Sequence, residues 1–179
     1  MIKDFIFSEK VDKVLRSELD YVSGSMLIPR IKKISINVSL GSQVIKDSKC
    51  LDYAQRSLSM IVGQKAVICR AKKSIASFKL RKGYPVACKV TLRRKVLIDA
   101  FFKKTLIGLA RQRDFSPFSA EQFDGSGNFS FGVLEHAVYD EVDYESMYLN
   151  YGMNINIITN LNDSHKSMLF LKVLGIPFK

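Results

Sequence analysis

Apolar and polar side chains alternate along several stretches of the chain with the period of two that is typical of β-strands. From Ile34 to Leu40 every second residue is apolar, and serine or asparagine fills the positions between. The same alternation runs through 86–93, where Val86, Cys88, Val90 and Leu92 are expected to point inward. Further strands are predicted at 66–71, 128–133 and 153–160. These patterns predict a sheet with one apolar face and one polar face.

Other stretches repeat apolar residues every three or four positions, which predicts helices. They cover residues 5–19, a second helix capped by Asp47 or Ser48 and ended by Gly63, residues 95–111, and a last helix from Asp163 or Ser164 to Gly175. Helices and strands interleave without a linker or a repeat. The prediction is therefore one α+β domain over residues 1–179, with two layers: a mainly antiparallel sheet and helices packed on one of its faces.

Positive charge is concentrated in one part of the chain. The formal net charge is +11, and residues 65–95 hold eleven lysines and arginines without one acidic residue. The other 148 residues carry 17 basic and 17 acidic side chains, so the whole excess belongs to this stretch. Such an excess is typical of a surface that binds polyphosphate, and it would also attract an anionic membrane. A solvated charged surface without a partner is the alternative.

The basic stretch divides into two parts. Residues 72–84, the basic loop, are predicted to connect two strands with their cations in solvent and with Phe78 or Tyr84 buried as an anchor. Residues 86–93 form a strand whose outward side chains extend the polar face of the sheet. The outer sheet face then combines cations with short hydrogen-bonding groups, namely Ser35, Asn37, Ser39, Lys89, Thr91, Arg93, Asn154 and Asn156. This chemistry suits folded RNA, and an ordinary solvated sheet face is the alternative.

Signals for catalysis and for metal binding are weak. The two histidines lie outside any cluster spaced for a metal, and the three cysteines form neither a zinc motif nor a disulfide framework. An RNA-modifying or nucleotide-handling enzyme stays an alternative, with Asp99, Asp114 and His136 as its candidate general bases or ligands. Phe129 and Phe131 share one face of a strand and are expected in the core rather than against RNA bases.

Five segments, taken in order, resemble one protein family. They are PRIKKISINVSLG, GQKAVICRAKKSIASFKLRKGYPVACKVTLR, RDFSPFSAEQFDGSGNFSFGV, GMNINIITN and the ending LGIPFK. These segments are similar to ribosomal protein five of the large subunit, in its bacterial and organellar form. The resemblance runs from about residue 4 to the end of the chain. It implies a structural constituent of the large ribosomal subunit with a role in translation and no enzymatic activity.

The resemblance also implies partners for particular residues. It implies binding to 5S rRNA, which the protein ties to large-subunit rRNA in the central protuberance, through Arg30, Lys33, Asn37, Ser39, Lys89, Thr91 and Arg93. It directs the basic loop toward the peptidyl-site tRNA, through Lys72, Lys73, Ser74, Lys79, Arg81 and Lys82. The acidic stretch 135–145 is expected to bridge to a basic protein of the small-subunit head, through Glu135, Asp140, Glu141 and Asp143, and a solvated loop is the alternative.

We expect no cofactor, no metal, no small-molecule substrate and no membrane partner. No run reaches 18 apolar residues, and the start, MIKDFIFSEK, lacks the pattern of a secretory signal or a transit peptide. The chain is rich in Ile, Phe, Asn, Lys and Ser and has no Trp, which suggests an AT-rich coding genome. These features favour a mitochondrially encoded copy in the mitochondrial matrix, with the bacterial cytoplasm as the alternative.

Overall fold

The computed structural model of the chain describes residues 29–112, 115–142 and 147–179. Five strands are present there: β1 Ile31–Ser39, β2 Val67–Arg70, β3 Pro85–Leu92, β4 Phe129–Val133 and β5 Met153–Thr159. They form one antiparallel sheet in the order β2-β3-β1-β5-β4. The helices of the same ranges are α1 Ser42–Lys46, α2 Lys49–Val62, α3 Lys95–Arg111 and α4 Ser164–Val173.

The fold class is α+β, as predicted. All five predicted strands are present. Their ends lie within one or two residues of the predicted ends, except that β1 begins three residues earlier than predicted. The helix predicted over 5–19 lies outside the described residues. The single domain over 1–179 likewise stays a prediction. Contacts divide the chain into two compact units.

The alternation predicted for the strands is present in their burial. Ile34, Ile36 and Val38 of β1 are completely buried, while the intervening Ser35 and Asn37 reach solvent. In β3 the residues Cys88, Val90 and Leu92 are buried as expected. Val86 is only half-buried, because it lies at the start of β3 beside an open cleft under the basic loop. The apolar face of the sheet thus faces the core and the polar face stays accessible.

The first unit comprises Ser35–Leu92 and Gly132–Ile155. Its main helix, α2, buries the predicted apolar face, Leu51, Ala54, Leu58 and Ile61. The helix begins where the Asp47 carboxylate accepts the Lys49 N–H at 2.9 Å and ends at Gly63, whose φ of 74° is left-handed. Helix α1 was not predicted, since five residues are too few to show a helical period.

The second unit comprises the described part of Met1–Ile34 together with Arg93–Phe131 and Asn156–Lys179. Helix α3 has the predicted bounds and buries Ile98, Phe102, Thr105 and Leu109. An aromatic cluster centres on Phe118, whose ring lies 5.3 Å from that of Phe129 and 5.1 Å from that of Phe131. Both strand phenylalanines are buried, so their predicted place in the core is confirmed. Helix α4 begins where Asp163 accepts the His165 N–H at 2.9 Å.

Candidate nucleic-acid interface

Four of the predicted RNA-binding side chains lie on neighbouring strands of the first unit. Asn37 and Ser39 belong to β1, and Lys89 and Thr91 to β3, which is adjacent to β1. Ser39 and Lys89 are exposed, and Asn37 and Thr91 are half-buried. The Leu40 N–H donates to the Val86 carbonyl at 3.3 Å, which places the end of β1 beside the start of β3. Because buried and accessible positions alternate along both strands, these four polar groups lie on the outer sheet face.

Arg30, Lys33 and Arg93 are the remaining predicted contacts for 5S rRNA, and they belong to the second unit. The Arg30 N–H donates to the Asn160 Oδ1 at 2.7 Å, and the Asn160 N–H donates to the Arg30 carbonyl at 3.1 Å. These paired bonds position the backbone at the start of β1, and the Arg30 side chain stays exposed. Lys33 is half-buried on β1, and Arg93 is exposed between β3 and α3.

The basic loop is a closed extension of the β2–β3 hairpin. At its base the Ala71 N–H donates to the Tyr84 carbonyl and the Gly83 N–H donates to the Ala71 carbonyl, both at 2.8 Å. Further out, Ile75 and Leu80 exchange two backbone hydrogen bonds of 2.9 and 3.1 Å. Backbone pairing therefore continues along the loop, whose six predicted contact side chains are all exposed: Lys72, Lys73, Ser74, Lys79, Arg81 and Lys82.

The tip of the basic loop is a short 3₁₀ turn, Ala76–Phe78, which ends at Lys79. Lys79 has a φ of 52° and is the one residue other than glycine with a positive φ among the described residues. The left-handed conformation costs a residue with a side chain about 1–2 kcal/mol, so the pairing of Ile75 with Leu80 must hold this turn in place. The Ser74 hydroxyl accepts the Lys82 N–H at 2.9 Å, which links the two sides of the loop.

One of the two proposed anchors of the basic loop is correct. Tyr84 is half-buried and its hydroxyl donates to the Val44 carbonyl at 3.3 Å, so it ties the base of the loop to α1. Phe78 was the other candidate and is 69% exposed, so the prediction of a buried ring there is wrong. Phe78 lies in the turn at the tip of the loop, where its ring stays largely in solvent.

The residues expected to bridge to the small-subunit head follow β4. Glu135 and Asp140 are exposed and Glu141 is half-buried, whereas Asp143 lies outside the described residues. A short turn, His136–Val138, separates Glu135 from Asp140. Leu134, next to Glu135, is among the most exposed apolar side chains of the described chain. This segment therefore presents carboxylates beside an apolar group.

His136 occupies a polar cluster that the sequence did not predict. The side chain is completely buried, and its ring stacks on Tyr151 with centroids 3.9 Å apart. The Tyr53 hydroxyl lies 3.4 Å from Nε2, and the Asn150 side-chain oxygen lies 3.3 Å from Nδ1. Burial lowers the pKa of His136, and the contacts with Asn150 and Tyr151 and the charge of Glu135 offset only part of this effect.

Hydrogen bonds extend this His136 cluster on both sides. The Tyr151 hydroxyl bonds to the buried Ser57 hydroxyl of α2. The Tyr148 hydroxyl donates to the Asp47 carboxylate, which lowers the pKa of Asp47. Only the aromatic content of 135–151 could have signalled this packing from the sequence, because the partners Tyr53 and Ser57 are far away along the chain.

The residues considered as candidates for catalysis have different environments in the structure. Asp99 is buried in α3 and pairs with Lys103 one turn later, at 3.4 Å. His136 is enclosed by the tyrosines, and Asp114 lies outside the described residues. Burial raises the pKa of Cys88 to about 11, which keeps this thiol protonated and far from nucleophilic. In the described ranges, no three His, Cys, Asp or Glu side chains are grouped to hold a metal ion.

A membrane-spanning helix is not found in the part of the chain that the structure describes.

Comparisons with known sequences give the family. The sequence model described as "Ribosomal protein L5" matches residues 25–81, and the model for the C-terminus of the same ribosomal family matches residues 85–178.

Curated relatives match over nearly the full length. The large ribosomal subunit protein uL5 of Nitratidesulfovibrio vulgaris (strain Miyazaki F) is 44% identical over 174 residues, which cover 97% of this chain and 96% of the relative. The uL5 of Baumannia cicadellinicola is also 44% identical, with 97% and 95% covered. That of Trichlorobacter lovleyi is 42% identical over 178 residues, with 99% and 98% covered. The chain belongs to the ribosomal protein L5 family, non-enzymatic structural constituents of the large ribosomal subunit.

Proposed function

We propose that the chain binds 5S rRNA through its outer sheet face and ties this RNA to large-subunit rRNA in the central protuberance. The observation that carries the proposal is the chemistry of β1 and β3. Asn37, Ser39, Lys89 and Thr91 offer hydrogen-bonding groups and a cation on adjacent strands, while the residues between them are buried. Sugar hydroxyls, phosphates and base edges of folded RNA are the partners that such groups recognise.

The basic loop is proposed to reach the peptidyl-site tRNA. Backbone hydrogen bonds within the loop hold it closed, and its cations are exposed and therefore accessible to a polyanion. In the region 65–95 no carboxylate is present to neutralise them. A loop that is ordered by its own backbone pairing presents its charges at fixed positions, which lowers the entropy cost of binding.

The acidic segment is proposed to contact a basic protein of the small-subunit head. Glu135 and Asp140 are exposed there, and the neighbouring Leu134 offers apolar surface beside the charges. Opposite charges on two proteins speed their encounter and select the partner. Glu141 and Asp143 belong to the same acidic segment and complete the proposed contact.

The location that family membership gives is the ribosome. The three relatives named above are bacterial. This supports the bacterial cytoplasm, the alternative to the mitochondrial matrix. None of the three supports the mitochondrial matrix that the composition favoured, and that interpretation stays a prediction. Determining whether the chain is encoded beside other bacterial-type ribosomal proteins or in an organellar genome would decide between the two compartments.

The proposal is tested by measuring affinity for 5S rRNA over a range of salt concentrations. If roughly six phosphates are contacted, log K should fall against log salt with a slope between about −4 and −5. A fully paired RNA of the same length is the control ligand, and Arg56→Ala, which removes an exposed cation from α2, is the control variant. A flat salt response, or equal affinity for the unrelated duplex, would contradict the proposal.

The same assay separates the outer sheet face from the basic loop. The double change Asn37→Ala with Arg93→Ala should weaken 5S rRNA binding and make the salt slope shallower by about one for each lost phosphate contact. The triple change of Lys79, Arg81 and Lys82 to alanine should leave 5S rRNA binding largely intact and weaken binding of tRNA by the assembled ribosome. An equal loss of 5S rRNA affinity in both variants would contradict this division of roles.

A further inference from the structure

An apolar cleft lies between the basic loop and the segment that follows β1. Its volume is about 510 Å³, and both sides belong to the same compact unit. Its lining is mostly apolar, from Gly41, Ile45, Ser77, Phe78, Lys79, Leu80 and Val86. An apolar space of this size that is open to solvent is typical of a site that receives another molecule.

Phe78 is the most unusual side chain of this cleft. Its ring is 69% exposed, whereas Phe101, Phe129 and Phe170 are among the most completely buried side chains of the described chain. Exposing an aromatic ring is unfavourable in water, so the position of Phe78 does not serve the stability of the free protein. The ring lines the cleft and leaves room beside it for a flat partner.

The cleft is held open by the local backbone. Lys79 turns the chain through a left-handed conformation directly after Phe78, and the exchange of hydrogen bonds between Ile75 and Leu80 fixes this turn. Tyr84 ties the base of the loop to Val44 at 3.3 Å. On the opposite side Gly41 has a φ of 48°, and apart from Gly41 and its two chain neighbours no described residue has an atom within 4 Å of the place that a Cβ would take there. The partner can therefore approach the Gly41 backbone closely.

We propose that this cleft takes one unpaired nucleobase of a bound RNA, stacked on the ring of Phe78. The occupant follows from the charge around the cleft. Lys79 lines it, and Arg81 and Lys82 are exposed on the same loop, with no acidic residue between positions 65 and 95. A nucleobase is a flat, largely apolar group carried on an anionic backbone, so its ring fits the apolar lining while its phosphates face the cations.

This inference rests on the proposed function, that the chain binds RNA, and deepens it by naming an unpaired nucleotide as the part recognised by the cleft. A paired base is stacked within its helix and presents no free face to the ring. The cleft should therefore distinguish RNA loops from duplexes, whereas the cations alone bind both.

The test compares an RNA hairpin with an unpaired loop against a fully paired RNA of equal length. Phe78→Ala should lower affinity for the hairpin about tenfold, toward the low end of what one stacked base contributes, and leave duplex affinity unchanged. Phe78→Tyr keeps a flat aromatic ring and should retain hairpin affinity. Met60→Ala is the matched control, since it removes an exposed apolar side chain, 60% exposed, from α2.

A fluorescent adenine analogue in the hairpin loop gives a second readout. The wild-type protein should quench it by stacking, and saturating Phe78→Ala should not, while the same analogue placed in the paired stem should respond equally to both proteins. Unchanged hairpin affinity and unchanged quenching in Phe78→Ala would overturn the inference and point to a protein as the occupant. Equal losses for hairpin and duplex would also overturn it.

The proposed function is judged by the separate experiment on Asn37 and Arg93. If that double variant loses 5S rRNA affinity while Phe78→Ala binds every RNA like the wild type, RNA binding stands and the base-binding cleft does not. If the wild-type protein binds no RNA with salt dependence, the proposed function and this inference both fail. Because Phe78 is exposed, its variants should unfold at the same temperature as the wild type, and this measurement excludes misfolding as a cause.

Discussion

Lowering the pH should destabilise the protein through His136. The side chain is completely buried among Tyr53, Asn150 and Tyr151, and burial lowers its pKa below the ordinary value of 6.5. In the unfolded chain the ring gains a proton as the pH falls through this ordinary value. In the folded chain it stays neutral to a lower pH. The unfolded state then binds more protons, so the free energy of unfolding falls as the pH falls.

The size of the effect follows from the same difference in proton binding. One proton bound only by the unfolded state changes the free energy of unfolding by about 1.4 kcal/mol per pH unit. One unit below the ordinary pKa, His136 therefore removes at most about 1.4 kcal/mol of stability. Protonation in place would set a charge inside a cluster that also holds the Tyr151 hydroxyl, whose pKa burial raises. The loss begins below pH 6.5 and levels off below the lowered pKa of the folded state.

Urea denaturation of the wild type and of His136→Gln at several pH values between 5 and 8 would measure the effect. Glutamine keeps a hydrogen-bonding side chain without the titration, so its free energy of unfolding should depend less on pH below 6.5 than that of the wild type. His165→Gln, which changes an exposed residue at the start of α4, is the matched control. Parallel curves for the wild type and His136→Gln would refute the reasoning.

Two further predictions concern α2. Leu58→Ala should lower the free energy of unfolding by about 2–5 kcal/mol, because Leu58 is completely buried and its loss leaves a cavity, whereas Met60→Ala on the exposed face should change it by less than about 0.5 kcal/mol. Similar losses in both would contradict the assigned face. Gly63→Ala should lower the free energy of unfolding by about 1–2 kcal/mol, because α2 ends there with a left-handed φ of 74°. Urea denaturation measures the stability of all three variants, and an unchanged midpoint for Gly63→Ala would contradict this prediction.

Helices in which apolar residues repeat over several turns were predictable from the sequence. Helix α3 spans more than four turns, so the positions Ile98, Phe102, Thr105 and Leu109 define one face, and the observed bounds agree with the prediction. Helix α4 was predictable from its ends, where Asp163 caps the first turn and Gly175 adopts a φ of 98°. Helix α1 is too short for the apolar spacing to repeat and has no capping side-chain hydrogen bond, so its residues carry no local signal that would predict it.

Within the candidate interface, alternation predicted which residues face outward but not how the basic loop is held. Phe78 and Tyr84 are both aromatic residues in a run of cations, so local pattern alone did not distinguish them. Tyr84 is half-buried and bonds to Val44, which lies forty residues earlier in the chain, whereas Phe78 is 69% exposed. The His136 cluster is a similar case, because its partners Tyr53 and Ser57 come from α2. Contacts between distant segments decide such details, and a single sequence does not contain them.

Two properties of the basic loop are unfavourable in the free protein. Its cations repel one another, and Lys79 adopts a left-handed backbone that disfavours a side chain. Repulsion alone would favour an open, disordered loop, yet the pairs Ala71–Tyr84 and Ile75–Leu80 hold it closed, and Tyr84 ties it to α1. The backbone thus maintains a charge density that does not stabilise the fold. The polyanionic partner proposed above would account for this arrangement, since phosphates would reverse the sign of the repulsion while the closed backbone keeps the cations in position to meet them.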